Sequence, residues 1–264
     1  MATYLDRILV AHRATAARDE RDITRLLRQA EACPPTRGFS AALGAGRRGG
    51  GVAAIAEVKR RSPSKGPLAP DLVPASLAKA YEQGGAACLS VLTDTDFFGG
   101  SPDDLREARR AVGLPVLRKD FTVCVADLCD ARVMGADAVL LIVSALAQRE
   151  LQELFETASQ LGLDALVEVH DEAEAERALA CGARLVGVNQ RDLSTFEVDT
   201  DRAVRVAAAL PADVVRVAES GIASARDVRR LAGAGFDAVL VGEALVRSPD
   251  PGAALAALLA TGSE

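Results

Sequence analysis

Short apolar segments alternate with amphipathic helical patterns along most of the chain. Eight of these segments end in polar residues, and successive segments are 21 to 33 residues apart. Strands that are apolar on both faces indicate a parallel sheet covered by helices, and eight βα units of this length predict an α/β fold, the closed (β/α)₈ TIM barrel. The predicted strands are residues 52–59, 87–94, 115–120, 138–144, 165–170, 184–190, 214–220 and 238–243.

An open, doubly wound sheet is the alternative arrangement of the same alternating elements. Its usual signal is a Gly-x-Gly-x-x-Gly turn after the first strand, and no such turn follows residues 52–59. The closed barrel is therefore the preferred prediction.

The first residues have a different pattern, which predicts a helical extension. Apolar positions recur at helical spacing over residues 5–12 and again over 23–30, which indicates one long or two short amphipathic helices. A Pro-Pro pair ends this pattern, and a Gly/Arg-rich connector follows at 44–51. We expect residues 1–51 to form an extension that packs on a single barrel domain, residues 52–264.

Composition and charge exclude several functional classes. The chain has 264 residues, with 31 Lys and Arg against 37 Asp and Glu, a net charge of −6 and a pI of 5.2. Such a chain is not expected to bind nucleic acid or an anionic membrane. No targeting segment is apparent, and the longest apolar stretch, Ala138 to Ala147, is too short to span a bilayer. Five cysteines without a C-x-x-C pair favour a reducing, cytoplasmic location.

Lysine is rare, since only four of the 31 basic residues are Lys. Lys59 and Lys119 stand at predicted strand ends, whereas Lys65 lies in a loop and Lys79 on a helix. Unlike Arg, a partly desolvated Lys can release its proton near neutral pH. We expect an apolar surround and a neighbouring cation to lower the pKa of a strand-end lysine and to make it an acid or base.

The predicted strand ends carry most of the candidate chemistry. In such barrels reactive groups lie at the carboxyl ends of the strands. Glu57 and Lys59 are two positions apart, so they point to the same side of the first strand. Any one of these charges alone is as well explained by a structural ion pair. The other strand-end candidates are Lys119, Glu168, Asn189, Arg191 and Glu219.

The last two units predict a phosphate site. Gly221 and Gly242 each stand where a strand passes into a helix, so backbone N–H groups can face an anion, and Ser220 adds a donor. A single Gly at such a turn is ordinary turn chemistry, but two in adjacent final units favour phosphate.

Metal and nucleophile chemistry is not indicated. His12 falls in a helical stripe and His170 follows the fifth strand, and neither has a second His or Cys at ligand spacing. We expect both histidines to be structural, no metal site, and no cysteine or serine nucleophile.

The segment Ile55 to Gly66, IAEVKRRSPSKG, closely resembles the signature of the indole-3-glycerol phosphate synthase family of tryptophan biosynthesis. The similarity extends over nearly the whole chain from about Phe39. The further matching blocks are FFGGS (97–101), VLRKDF (116–121), LLIV (140–143), LVEVH (166–170), GVNQRDL (187–193), AESGI (218–222) and VLVGEAL (239–245).

The resemblance implies a (β/α)₈ enzyme, without cofactor or metal, that closes the indole ring of 1-(2-carboxyphenylamino)-1-deoxyribulose 5-phosphate with loss of CO₂ and water. It implies that Lys119 is the general acid for ring closure. Lys59, Glu57 and Glu168 are the candidates for the dehydration step, and which of them carries which proton stays open.

The resemblance also implies the substrate-binding residues. Asn189 and Glu219 would hold hydroxyls, and Arg191 would meet the carboxylate. Two departures from the family pattern are Gln190, where many members have Asn, and the absence of Trp, which leaves the cover of the aromatic pocket undefined. The implied phosphate ligands are Ser220, Gly221, Gly242, Glu243, Lys59 and Ser62, and the implied aromatic slot is Phe98 and Phe121.

Two other functions are consistent with a phosphate-binding barrel. The isomerase of the preceding pathway step pairs a Cys at the first strand end with an Asp, whereas this chain has Glu57 and Lys59 there. A non-catalytic sugar-phosphate-binding protein would keep the phosphate loops but lose the acid and base positions.

We expect the protein to act on a sugar phosphate as a monomer. The exposed faces of the barrel helices do not reveal the oligomeric state, so an oligomer stays an alternative.

Overall fold

The computed structural model describes residues 3–48, 51–63, 65–192 and 195–260. Gly49 and Gly50 of the predicted connector, Ser64 of the signature segment and Leu193 lie outside the described residues. Within them, the two short helices predicted for the extension are α1 (Tyr4–Ala17) and α2 (Ile23–Glu31).

The predicted closed barrel is confirmed, and all eight predicted strands are present. Each strand pairs in parallel with the next, and Ala53 of the first strand pairs with Ala238 of the last to close the ring. The strands are β1 (Ala53–Val58), β2 (Cys88–Leu92), β3 (Val116–Lys119), β4 (Ala138–Ile142), β5 (Asp164–Val169), β6 (Leu185–Asn189), β7 (Val215–Glu219) and β8 (Ala238–Val241).

The remaining helices alternate with these strands and cover the barrel. Many begin at residues whose side chains accept a backbone N–H of the first turn, as Ser101, Asp171 and Ser224 do. A small hairpin, Arg61–Ser62 with Gly66–Pro67, precedes the first of them. The helices are α4 (Pro74–Gln83), α5 (Pro102–Ala111), α6 (Val125–Met134), α7 (Gln148–Gln160), α8 (Glu172–Ala180), α9 (Arg202–Ala207), α10 (Ala225–Gly233), α11 (Glu243–Val246) and α12 (Pro251–Leu259).

A third N-terminal helix, α3 (Phe39–Arg48), was not predicted, because its glycines favour a loop. Burial outweighs that local preference. Phe39 and Leu43 are fully buried, and the backbone N–H of Ser40 donates to Asp164, the first residue of β5. The helix therefore closes the amino-terminal end of the barrel and leaves the opposite end open.

Helix α1 lies at the opposite, carboxyl-terminal mouth of the barrel. His12 Nε2 is 2.9 Å from Oδ2 of Asp94, a residue just beyond β2. Arg13 forms a bidentate salt bridge with Glu150 at the start of α7. Tyr4 packs edge-on against Phe97 and Phe196, with ring centroids 5.9 and 5.2 Å away. The extension thus reaches the rim at which the strand-end residues converge.

Candidate active site

Lys119 stands at the centre of the strand-end residues. Its Nζ lies 2.7 Å from Glu168 Oε2 and 3.0 Å from Glu219 Oε2, across the barrel mouth from β3 to β5 and β7. Asn189 Nδ2 donates to the other Glu168 oxygen at 3.1 Å. Four predicted site residues from four strands therefore form one hydrogen-bonded group.

Glu57 and Lys59 form a second pair beside this group, as their spacing predicts. Lys59 Nζ lies 2.5 Å from Glu57 Oε1. The carboxylate of Glu57 is packed against Gly242, where an added Cβ would lie only 3.0 Å from Glu57 Cβ. Gly187 makes a similar close approach to Glu219, so small residues on neighbouring strands make room for both acids.

The expectation of a lowered lysine pKa is wrong for Lys119. Burial by itself lowers the pKa of the ammonium, but the charges of Glu168, Glu219 and Glu57 outweigh burial and raise it. The sequence shows the neighbouring cation, Lys59, but not that three carboxylates face Lys119. Lys119 is therefore a charged ammonium at neutral pH in the ligand-free site.

Of the two carboxyls bound to Lys119, Glu219 holds its proton more strongly. Burial raises the pKa of its carboxyl to about 7, against the opposing charge of Lys119 and with the repulsion of Glu168. Burial also acts on Glu168, but Lys119 and His170 lower the pKa of that carboxyl below its usual range. The two carboxyls bound to Lys119 thus have pKa values shifted in opposite directions.

This difference predicts how stability depends on pH. Between about pH 4.5 and 7 the folded state retains a proton on Glu219 that the unfolded state has released. The free energy of unfolding should therefore fall as pH rises through this interval, with roughly 1–3 kcal/mol from Glu219. Urea unfolding at pH 5 and pH 8 tests this: Glu219→Gln should remove part of the decline, and identical declines in the two proteins would contradict it.

The loops after β7 and β8, which the sequence predicts to bind phosphate, lie at one side of the cavity. Ser220 and Gly221 both have positive φ, 69° and 71°, which turns the chain sharply at the end of β7. Gln190 Nε2 donates to the Ser220 carbonyl at 2.7 Å and so supports this turn. Ser62, Ser220, Gly221, Gly242 and Glu243 all line the same cavity.

The cavity also has an aromatic side. Its volume is about 690 Å³, and it extends from the Lys119 group to the predicted phosphate loops. Phe98 and Phe121 line it, with ring centroids 6.3 Å apart and planes tilted by 39°. His12 packs behind Phe121 at 5.4 Å, so helix α1 supports this wall in a chain without Trp.

Arg191 lines the cavity at the rim, where its Nη1 donates to the Phe196 carbonyl at 3.1 Å. The structure adds lining residues that sequence reasoning missed: Lys65 from the hairpin, and Phe196 and Val198 from the loop after β6. The apolar pair has no periodic signal, because both residues lie in a loop. The sequence places Lys65 in a loop, and only the fold shows that this loop forms part of the cavity wall.

One group among the described residues brings metal-type donors together, with ligand atoms of His12, Asp94 and Asp120 within 4.8 Å of one another. These atoms already have partners. Asp94 pairs with His12 and accepts the backbone N–H groups of Phe97 and Phe98, and Asp120 accepts from Thr93 and Arg118. The group is better described as an internal ion pair that holds α1 to the barrel.

The fold and the site together define the class: a (β/α)₈ barrel enzyme with titratable groups at its strand ends and glycine-containing loops beside them, lining one cavity. A family model described as indole-3-glycerol phosphate synthase matches residues 5–258. The indole-3-glycerol phosphate synthases of Mycobacterium ulcerans and Mycobacterium avium are each 51% identical over 264 residues, which cover 99% of this chain and 96% of each relative. The chain belongs to the indole-3-glycerol phosphate synthase family, and is thus a carboxy-lyase of tryptophan biosynthesis.

Similar solved structures support the fold alone. A thiamine phosphate pyrophosphorylase from Pyrococcus furiosus has a TM-score of 0.58 at 17% identity, covering 78% of this chain and 93% of that one. An N-acetylmannosamine-6-phosphate 2-epimerase from Clostridium perfringens has a TM-score of 0.59 at 15% identity, covering 74% and 88%. Among the described residues, no helix is long and apolar enough to cross a membrane.

Proposed function

We propose that the Lys119 group carries out closure of the indole ring of 1-(2-carboxyphenylamino)-1-deoxyribulose 5-phosphate. The observation that carries the proposal is the placement of one buried ammonium between Glu168 and Glu219, in a cavity with an aromatic wall at one side and glycine-rich loops at the other. This arrangement matches a substrate that has an aromatic carboxylate at one end and a phosphate at the other.

In this proposal Lys119 is the general acid of ring closure. The ketone oxygen of the substrate takes a proton as the aromatic carbon attacks the carbonyl carbon. An ammonium whose pKa is raised by carboxylates is fully protonated when the substrate arrives, so it begins the reaction in the acidic form. Loss of CO₂ then restores the aromatic ring.

Dehydration requires a second proton on the leaving hydroxyl and a base for the C–H proton. Glu168 suits the base, because its lowered pKa keeps it ionised. We assign the acid of this step to Lys59, whose Nζ is held at the mouth by Glu57 at 2.5 Å. Glu57 then orients Lys59 and balances its charge.

The remaining residues bind and orient the substrate. Glu219 Oε1 is buried and has no hydrogen-bond partner among the described residues, so it can accept from a substrate hydroxyl, with Asn189 as the neighbouring donor. Arg191 would pair with the carboxylate at the rim, and Phe98 and Phe121 would hold the ring. The phosphate would be held by Lys59, Ser62, Ser220, and the backbone N–H groups of Gly221, Gly242 and Glu243.

A direct assay tests the reaction. Purified protein given the carboxyphenylamino-deoxyribulose phosphate should release indole fluorescence in the absence of added metal or cofactor. Phosphoribosylanthranilate, the substrate of the preceding isomerase, should not be converted. Conversion of that substrate would favour the isomerase, and tight binding without any product would favour a sugar-phosphate-binding protein.

We further propose that the chain acts as a cytoplasmic monomer without a nucleic-acid partner, in line with its net charge of −6. Residues 1–51 would be an extension of one barrel domain, residues 52–264. Contacts such as Arg21 with Asp130 of α6, at 2.8 Å, support their packing as a single unit.

A further inference from the structure

His12 of helix α1 lies between two carboxylates at the mouth of the barrel. Its Nε2 is 2.9 Å from Asp94 Oδ2 and 4.0 Å from Asp120 Oδ1. Asp94 follows β2 and Asp120 follows β3, and both residues line the cavity. One side chain of the N-terminal extension therefore connects two neighbouring strand ends.

Each of these carboxylates also holds one ring of the aromatic wall. Oδ1 of Asp94 accepts the backbone N–H of Phe98 at 3.0 Å, and Oδ1 of Asp120 accepts the backbone N–H of Phe121 at 2.9 Å. The imidazole of His12 in turn packs against the Phe121 ring, with centroids 5.4 Å apart. The positions of both phenylalanine rings therefore depend on one imidazole.

The charges around His12 favour its protonated form. Asp94 faces it from the loop after β2, Asp120 from the end of β3 and Asp127 from α6. Burial lowers the pKa of the imidazole, but the hydrogen bond to Asp94 and the charges of these aspartates raise it above its ordinary value. Arg118 donates to the other oxygen of Asp120 at 3.1 Å. Two cations thus balance the two carboxylates that hold the rings.

Loss of the His12 proton would change the aromatic wall in two ways. The ion pair that holds Asp94 would weaken to a hydrogen bond from a neutral ring, so the loop that carries Phe98 would gain freedom to move. One carboxylate at the wall would also lose its balancing charge, and the ring of the proposed substrate carries a carboxylate of its own. Because the wall is largely buried, the repulsion between these two groups would be weakly screened.

We propose that His12 is a positioning residue that fixes the separation of Phe98 and Phe121 and so determines the affinity of the enzyme for the aryl end of its substrate. The proposal rests on the proposed function, which assigns the substrate ring to this wall. It gives the N-terminal extension a part in substrate binding. Because His12 acts through Asp94 and Asp120 rather than on the reacting groups, its removal should raise KM and leave kcat within about threefold.

Two probes measure the two ends of the cavity separately and need no turnover. 2-(Methylamino)benzoate has the ring, nitrogen and carboxylate of the proposed substrate without the sugar phosphate, and its own fluorescence reports binding. Inorganic phosphate represents the other end and is measured by titration calorimetry. His12→Gln keeps a hydrogen-bond donor for Asp94 but has no charge. The matched control, Arg18→Gln, removes an equal charge from an exposed residue just after α1.

At pH 6 we expect His12→Gln to weaken binding of 2-(methylamino)benzoate at least about tenfold, because the charged hydrogen bond is lost. Phosphate binding should change by less than about twofold, and Arg18→Gln should match the parent protein for both probes. As pH rises through the pKa of His12, the parent protein should lose affinity for the benzoate, whereas His12→Gln should not show this loss. Other groups of the cavity titrate in both proteins, so the difference between the two profiles reports His12.

Equal benzoate affinities in the parent protein and His12→Gln would overturn the inference alone. So would an equal loss of affinity for both probes, which would show that His12 supports the whole mouth rather than the aromatic wall. A parent protein that forms no indole product would remove the proposed function, and with it the assignment of the substrate ring to this wall.

Discussion

Lys119→Met is expected to lower kcat by about a thousandfold or more while the substrate still binds. Methionine keeps an unbranched side chain of similar shape but cannot give a proton to the ketone oxygen, so ring closure loses its acid. Arg191, the aromatic wall and the proposed phosphate loops, which all line the cavity, are left unchanged to hold the two ends of the substrate. Rapid-mixing fluorescence measures turnover, and titration calorimetry measures binding to the inactive variant.

The same substitution leaves Glu168 and Glu219 without their shared cation, so its effect on stability needs a control. Breaking a buried ion pair costs about 3–5 kcal/mol, and the loss should be larger at pH 8 than at pH 5, where Glu219, whose pKa is about 7, is protonated. Lys79→Met makes the same change at an exposed position of α4 and should preserve activity. Lys119 would be excluded as the general acid if a folded Lys119→Met protein turned over normally.

The barrel could be predicted because the relevant signals are local. Each strand is apolar on both faces, as parallel strands between an inner core and a helical layer must be, and Ile55 and Leu166 are fully buried. The spacing of the runs leaves room for one helix between neighbours. The strand-end charges follow from the same pattern, since parallel strands place all their carboxyl ends at one mouth.

The interactions among these charges could not be predicted, because they join residues far apart in the chain. Lys119 is 49 residues from Glu168 and 100 from Glu219, and only the closed ring brings them within 3.0 Å. The direction of the Lys119 pKa depends on these contacts, which is why the expectation of a lowered value is wrong. His170 shows the same limit, since its sequence neighbours do not show that its Nε2 lies 3.8 Å from Glu168 Oε1.

Helix α1 illustrates a different limit. Its periodicity predicts an amphipathic helix but not the surface that it covers. His12 pairs with Asp94, and Asp94 Oδ1 in turn accepts the N–H groups of Phe97 and Phe98 at 2.6 and 3.0 Å. His12 in the extension thus helps to position the aromatic wall through Asp94, although the two residues are 82 positions apart in the chain.

The proposed phosphate-binding end and the proposed acid–base end of the cavity meet at Gly242. This residue precedes α11, so its backbone belongs to the predicted phosphate loop, while its Cα faces the carboxylate of Glu57. An added Cβ would lie 3.0 Å from Glu57 Cβ, 3.1 Å from Glu57 Cδ and closer still to Oε1. Glu57 has little freedom to withdraw, since it is 4% exposed and paired with Lys59.

Gly242→Ala is therefore expected to reduce kcat/KM by roughly a hundredfold or more, because one methyl group displaces Glu57, and with it Lys59, and crowds the phosphate loop. Both kcat and the affinity for inorganic phosphate should fall, measured by steady-state fluorescence and by competition. Gly233→Ala is the matched control: outside its own helix, no described atom lies within 4 Å of the added Cβ, and alanine is preferred to glycine at this position near the end of α10. Unchanged kinetics in a folded Gly242→Ala protein would show that this close approach does not support the site.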